Sequence, residues 1–140
     1  MRLLASTDYA LRVLMTLAQT KAGEPVTVPI LAARLRLSQN HLHKIVQDLA
    51  GLGLVRTARG AGGGVTLAAG IDQIRIGPLI RALEQDHALA ECFRADGGGC
   101  VLTPGCRLSA MLAEAKESFY ASLDQRTLRH CLSPMSGSAS

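Results

Sequence analysis

Three cysteines, Cys92, Cys100 and Cys106, fall within fifteen residues, with seven and then five residues between them. The run Cys-Phe-Arg-Ala-Asp-Gly-Gly-Gly-Cys-Val-Leu-Thr-Pro-Gly-Cys has little apolar surface to hold it in one conformation. Three thiolates closing on one metal centre would supply the missing constraint. Other chemistries compete. A disulfide would leave one of the three thiols over, in a chain with no sign of an oxidising compartment. Structural zinc usually draws on close Cys-x-x-Cys pairs, which this spacing lacks. An inert thiol belongs on an apolar face, whereas Cys100 follows a glycine run. A helix expected from Pro104 to about Leu123 would put the site at its mouth. Three thiolates also leave a fourth coordination position to fill.

The elements that must carry this loop are legible in the rest of the chain. Ser6 is positioned to cap a helix over about 7–20, with Tyr9, Val13, Leu14, Leu17 and Ala18 on one face. Asp8 lies in its first turn, where the helix dipole favours a carboxylate. Thr27 caps a short helix from Val28-Pro29, with Ile30, Leu31 and Leu35 expected inward. After a tight connection at Arg36-Leu37, Ser38 caps a third helix. There Leu42, Ile45, Val46, Leu49 and Leu52 form the inner face, while Gln39, Asn40, His41, His43 and Lys44 face outward. Two short helices of this kind describe a helix-turn-helix whose second helix reads base edges from its N-terminal end. Strands expected over 53–59 and 65–68 flank a glycine-rich tip with Arg59 and Gly60 at its start. The glycines allow positive φ, and Arg59 is placed for a minor groove or a phosphate. Together these predict a mainly α fold with a small β-hairpin, a winged helix-turn-helix.

Beyond a short link through Ile71, Ile74 and Ile76, Gly77-Pro78 opens a helix to about Asp86, with Leu79, Ile80 and Leu83 inward. On the long helix that follows the cysteines, Leu108, Met111, Leu112, Ala115, Phe119, Ser122 and Leu123 form one stripe. About twenty residues at roughly 1.5 Å each make a ~30 Å rod, too long for so small a domain to cover. The stripe therefore predicts a dimerisation helix. The domain reading is 1–77 for the winged helix-turn-helix, 78–132 for the cluster-binding loop and dimerisation helix, and 133–140 for a disordered tail.

Composition agrees. The 140 residues are 48% hydrophobic but 3% aromatic with no Trp, which suits an aliphatic, helical core. The net charge of +4 is unevenly spread: residues 1–64 carry +5 and residues 65–140 carry −1. A basic first half is what a phosphate-binding half requires. No stretch is long enough to span a membrane, and the N-terminus lacks a signal-peptide apolar region. A cytoplasmic protein with reduced thiols is expected. No base, nucleophile and oxyanion donors come together, so an enzyme is not expected.

These residues resemble the iron–sulfur winged-helix transcription regulators that include IscR and NsrR. The resemblance is carried by Asp8-Tyr9-Ala10-Leu11-Arg12, by Leu37-Ser38-Gln39-Asn40-His41-Leu42 with Lys44-Ile45-Val46, and by Gly53-Leu54-Val55. Arg59-Gly60 with Gly62-Gly63-Gly64, Ile76-Gly77, Ile80-Arg81-Ala82-Leu83-Glu84 and Cys92, Cys100 and Cys106-Arg107-Leu108 complete it. It covers residues 1 to about 132. IscR-like members carry a histidine ligand three residues after the third cysteine, where this chain has Ser109. NsrR-like members take an aspartate from the first helix of the partner subunit, a position matched by Asp8. The resemblance therefore implies a 4Fe–4S cluster held by Cys92, Cys100, Cys106 and Asp8. Cys131 matches no ligand position. The implied function is a homodimeric repressor bound to a double-stranded DNA operator and released when nitric oxide attacks the cluster. Two alternatives stand beside it: an IscR-like 2Fe–2S redox or cluster-status regulator, and a zinc-stabilised winged-helix repressor.

Overall fold

Among the described residues nineteen hydrophobic side chains are buried, and most of them belong to one aliphatic core shared by the first three helices and the hairpin. In the computed structural model, which describes residues 1–133, the helices are α1 (Ala5–Gln19), α2 (Val28–Leu35), α3 (Gln39–Gly51), α4 (Ile76–Leu83) and α5 (Arg107–Asp124). The two strands are β1 (Val55–Ala58) and β2 (Gly64–Leu67), paired antiparallel with Val55 opposite Leu67 and Ala58 opposite Gly64. Short 3-10 turns occupy Glu91–Phe93 and Leu128–Cys131. Of the tail expected to be disordered, residues 134–140 lie outside the described residues.

The helix-turn-helix is set locally. Thr27 accepts the Ile30 N–H and Ser38 accepts the His41 N–H, each satisfying a donor that the first helical turn leaves free. Between them Arg36 adopts φ 55°, ψ 46°, the left-handed conformation that stops α2 in one residue. Leu31, Leu42 and Leu49 are fully buried where α2 and α3 meet α1. The wing gains a third pairing partner, since Val26 and Val65 exchange both backbone hydrogen bonds at 3.0 and 2.8 Å.

α4 and α5 form a second, smaller cluster of Ile76, Ile80 and Tyr120. Gly77 permits this crossing, because a Cβ there would stand 2.9 Å from the Asp124 backbone. Arg81 stacks 4.3 Å from the Tyr120 ring centre and makes a bidentate pair with Glu117 at 2.9 and 3.1 Å. That pair holds the Glu117 carboxyl below its ordinary range. Burial pushes the Tyr120 hydroxyl upward. Leu128 returns the chain to the main core, tied by its N–H to the Ile74 carbonyl at 2.8 Å.

Several sequence expectations are corrected. α1 begins at Ala5, so Ser6 is inside it; its N-cap is Leu4, whose own N–H donates to Glu84 Oε1 at 2.7 Å. Ile30 is 46% exposed and Leu52 is 45% exposed. Each lies one step off the buried stripe: Leu31 takes the inward position on α2, and α3 ends before Leu52. The long helix starts at Arg107 rather than Pro104, because Gly105 at φ +92° keeps the chain in a turn up to Cys106. The stripe expected to pack on a second copy keeps Leu108, Met111, Ala115 and Ser122 exposed within the protomer, and the residue that α5 fully buries is Tyr120.

Candidate functional site

Two regions bear the residues singled out by sequence. The first is the outward face of α3 with the hairpin tip. Ser38, Gln39, Asn40, His41, His43 and Lys44 are all exposed, in the first turn and a half of α3 or just before it. Ser38 is occupied as the cap, and Lys44 reaches Asp48 at 3.0 Å in an exposed i, i+4 pair. Arg59 and Gly60 are exposed at the end of β1, Gly60 at φ +88°, and Arg59 enters no ion pair among the described residues. An amide-rich helix end and a guanidinium free of ion pairs are suited to base edges and phosphates.

The second region is the loop between α4 and α5. Cys92 lies in the 3-10 turn, Cys100 in the irregular segment that follows it, and Cys106 at the N-cap of α5. All three are free thiols, partly exposed. A helix N-terminus favours negative charge, so Cys106 sits where a thiolate ligand is electrostatically welcome. The loop, for which a metal centre was one expected constraint, also carries a polar clasp of its own. Glu91 Oε1 accepts the Gly99 N–H at 2.9 Å, Asp96 accepts the Gly98 N–H at 3.0 Å, and Thr103 donates to the Cys100 carbonyl at 2.9 Å. Glu91 is the neighbour of Cys92 and Gly99 the neighbour of Cys100, so this single carboxylate draws the first two cysteine segments together. Gly98 is required at φ +61°: a Cβ would stand 2.3 Å from the Glu91 carbonyl oxygen.

Among the described residues Asp8 makes no hydrogen bond to a cysteine. It lies on the first turns of α1, half-exposed, paired with Arg12 at 2.7 and 3.0 Å. Among the described residues no three His, Cys, Asp or Glu side chains converge on a single-ion site. The fourth cysteine, Cys131, packs between the two hydrophobic clusters, and burial pushes its thiol up, away from the thiolate a metal needs.

Sequence reasoning gave no site role to Glu91 or Glu84. Glu84 is 5% exposed. One of its oxygens accepts the Leu4 N–H, and the other, Oε2, has no partner at the wall of a cavity of about 240 Å³ lined by Leu3, Lys116 and Tyr120. No local pattern announces such a residue, because its partner is eighty positions away.

A helix-turn-helix followed by a basic hairpin defines a winged-helix DNA-binding regulator, here with a cysteine loop attached. More narrowly, the chain belongs to the Rrf2 family, described as iron-dependent transcriptional regulators, whose model matches residues 3–134. It is 44% identical over 132 residues to the HTH-type transcriptional regulator NsrR of Geobacillus kaustophilus, covering 94% of this chain and 90% of that one. To the NsrR of Bacillus subtilis it is 42% identical, covering 92% of this chain and 88% of that one. Among solved structures, T. potens IscR superimposes with a TM-score of 0.73 at 27% identity, covering 94% of this chain and 85% of that one. Staphylococcus aureus CymR in its oxidized form gives 0.75 at 22% identity, covering 96% and 98%, and so shares the fold. The chain is a transcriptional regulator and not an enzyme.

Proposed function

We propose that this chain is an iron–sulfur-dependent repressor that binds its operator as a homodimer and releases it in response to nitric oxide. Cys92, Cys100 and Cys106, with Asp8 of the partner subunit, would hold a 4Fe–4S cluster. The donor set fits such a group. Three free thiols lie along one loop, no disulfide or apolar packing consumes them, and Ser109 offers no imidazole after the third. Thiolates spread along one loop would suit a group with several irons, whereas a single zinc ion would need them to meet at one point. The carrying observation is this loop on an Rrf2 chain whose curated relatives are named NsrR. A bound cluster supplies iron that nitric oxide can attack, and a carboxylate is the more easily displaced of its ligands.

The protein's own residues supply the rest. Val101 is 92% exposed, Leu102 68%, Leu108 57% and Met111 59%, a run of large apolar side chains on the loop and the first turns of α5. A second copy against α5 would cover such a patch. That dimer would present two α3 helices at a fixed separation, with Gln39, Asn40, His41, His43 and Lys44 towards the major groove. Ser38 would hold the first turn, and Arg59 and Gly60 would reach the minor groove or backbone. A two-fold operator demands both helices at once, so any change at the loop or at α1 that alters dimer geometry lowers affinity. The reducing cytoplasm is the compartment in which such thiols remain available.

The direct test is metal content. Protein purified without oxygen is expected to be brown and to contain iron and acid-labile sulfide, with both lost in Cys100→Ser and reduced in Asp8→Ala. A colourless wild-type protein carrying stoichiometric zinc would refute the reading and leave a zinc-stabilised regulator. A 2Fe–2S spectrum would make it an IscR-like redox or cluster-status regulator.

A further inference from the structure

The two halves of the cysteine loop are held differently. Between Cys92 and Cys100 the chain runs through a closed series of short bonds. The Phe93 N–H donates to the Ala90 carbonyl at 2.9 Å, the Arg94 N–H to the Glu91 carbonyl at 3.1 Å and the Gly97 N–H to the Arg94 carbonyl at 2.9 Å. Asp96 then accepts the Gly98 N–H on one oxygen at 3.0 Å and Arg94 Nη2 on the other at 2.6 Å. Gly97 and Gly98, at φ +83° and +61°, turn the chain back through two successive left-handed residues. The return ends on Glu91, whose Oε1 accepts the Gly99 N–H at 2.9 Å. From Cys100 to Cys106, among the described residues, the bonds within the segment are those Thr103 makes to the Cys100 carbonyl.

Packing agrees with this closure. A Cβ at Gly98 would stand 2.7 Å from Glu91 Cγ and closer still to the Glu91 carbonyl oxygen, so the returning backbone lies directly on Glu91. Seven residues separate Cys92 from Cys100, yet the bond between their neighbours Glu91 and Gly99 closes that span with no metal in it. Bringing the ends of a flexible loop together costs entropy. Where the loop has already closed, a group that takes both thiols has less ordering to impose. Cys106 is set separately, by its place at the N-cap of α5. The Glu91 side chain is exposed, so its hold is that of one solvent-facing bond.

We infer that Glu91 is a positioning residue for the metal centre. It holds the Cys92 and Cys100 segments side by side in the metal-free protein, so that the loop binds its cluster more tightly than an unclasped spacer of the same length. This rests on the function proposed above, because it requires a thiolate-bound cluster; Glu91 itself is not one of the ligands.

The test gives full-length, metal-free protein excess ferrous iron and sulfide without oxygen, follows the visible band as it grows, and then follows its loss to a chelator. In Glu91→Ala the ratio of uptake rate to loss rate is expected to fall about fivefold, the size of one hydrogen bond's net contribution. Glu91→Gln keeps an acceptor oxygen without the charge and is expected to stay close to wild type. Gly98→Ala leaves the carboxylate in place but pushes the returning backbone off it, and is expected to match Glu91→Ala. Hydrogen exchange at the Gly99 amide of the metal-free protein is expected to follow the same order, faster in Glu91→Ala and Gly98→Ala than in wild type or Glu91→Gln. A brown wild-type protein whose ratio is unchanged in Glu91→Ala would overturn the inference and leave the cluster reading intact. So would a loss in Glu91→Gln as large as that in Glu91→Ala, since the charge and not the clasp would then be at work. A colourless wild-type protein defeats the cluster reading itself, and this inference falls with it.

Discussion

The winged helix and the cysteine loop are shaped by different forces. Helices α1 to α3 and the hairpin enclose Leu14, Leu31, Leu42 and Leu49 at essentially zero exposure. The loop from Glu91 to Cys106 leaves Val101 and Leu102 in solvent and is held by single polar bonds from Glu91, Asp96 and Thr103. Burial at about 25 cal/mol per Å² of apolar surface makes the first region stable and indifferent to ligands. Exposed polar bonds contribute far less, so the second region can change shape at low cost. The function proposed above would use this division: a rigid reader of DNA and a compliant segment whose form is completed from outside.

Substitutions can break or sharpen that contrast, and the largest effect belongs to the core. Leu42→Ala should lower stability by about 2–5 kcal/mol in urea unfolding, because it empties a fully buried site between α2 and α3. A cost below ~1 kcal/mol would mean that the helix-turn-helix is not packed as described. Ser38→Ala should cost about 1 kcal/mol by removing the cap on His41; the same unfolding curves measure it. In the loop, Val101→Ala should stay within about 0.5 kcal/mol for the metal-free protein, while Glu91→Ala should speed hydrogen exchange at the Gly99 amide without moving the midpoint. The smallest effect concerns pH. Glu117 has its carboxyl lowered by Arg81 from the ordinary 4.5. The contribution is therefore present above that value and lost as pH falls through the depressed one. Glu117→Gln should be slightly less stable than wild type at pH 7 and indistinguishable from it near pH 3.

The reader was largely legible in sequence and the loop only in part, for a physical reason. Thr27, Ser38 and the spacing of Leu42, Ile45, Val46 and Leu49 act over three or four residues, so the pattern writes the helix directly. The errors fall at edges. Ile30 and Leu52 are apolar but sit beside the buried stripe, and α1 starts early because Glu84, eighty residues away, accepts the Leu4 N–H. The cysteines announce soft-metal chemistry by type alone. The Glu91 clasp and the unpartnered oxygen of Glu84 come from chain segments that meet only after folding, and no spacing rule reaches them.

The account centres on a cluster that governs DNA binding, and one titration tests it most directly. Anaerobically purified protein, bound to a duplex selected from a random pool, is titrated with nitric oxide while visible absorption and fluorescence anisotropy of the labelled duplex are recorded together. The account predicts that the cluster band and the bound fraction fall in parallel, and that Cys100→Ser shows neither the band nor the response. Full retention of the duplex after the band has disappeared would contradict it.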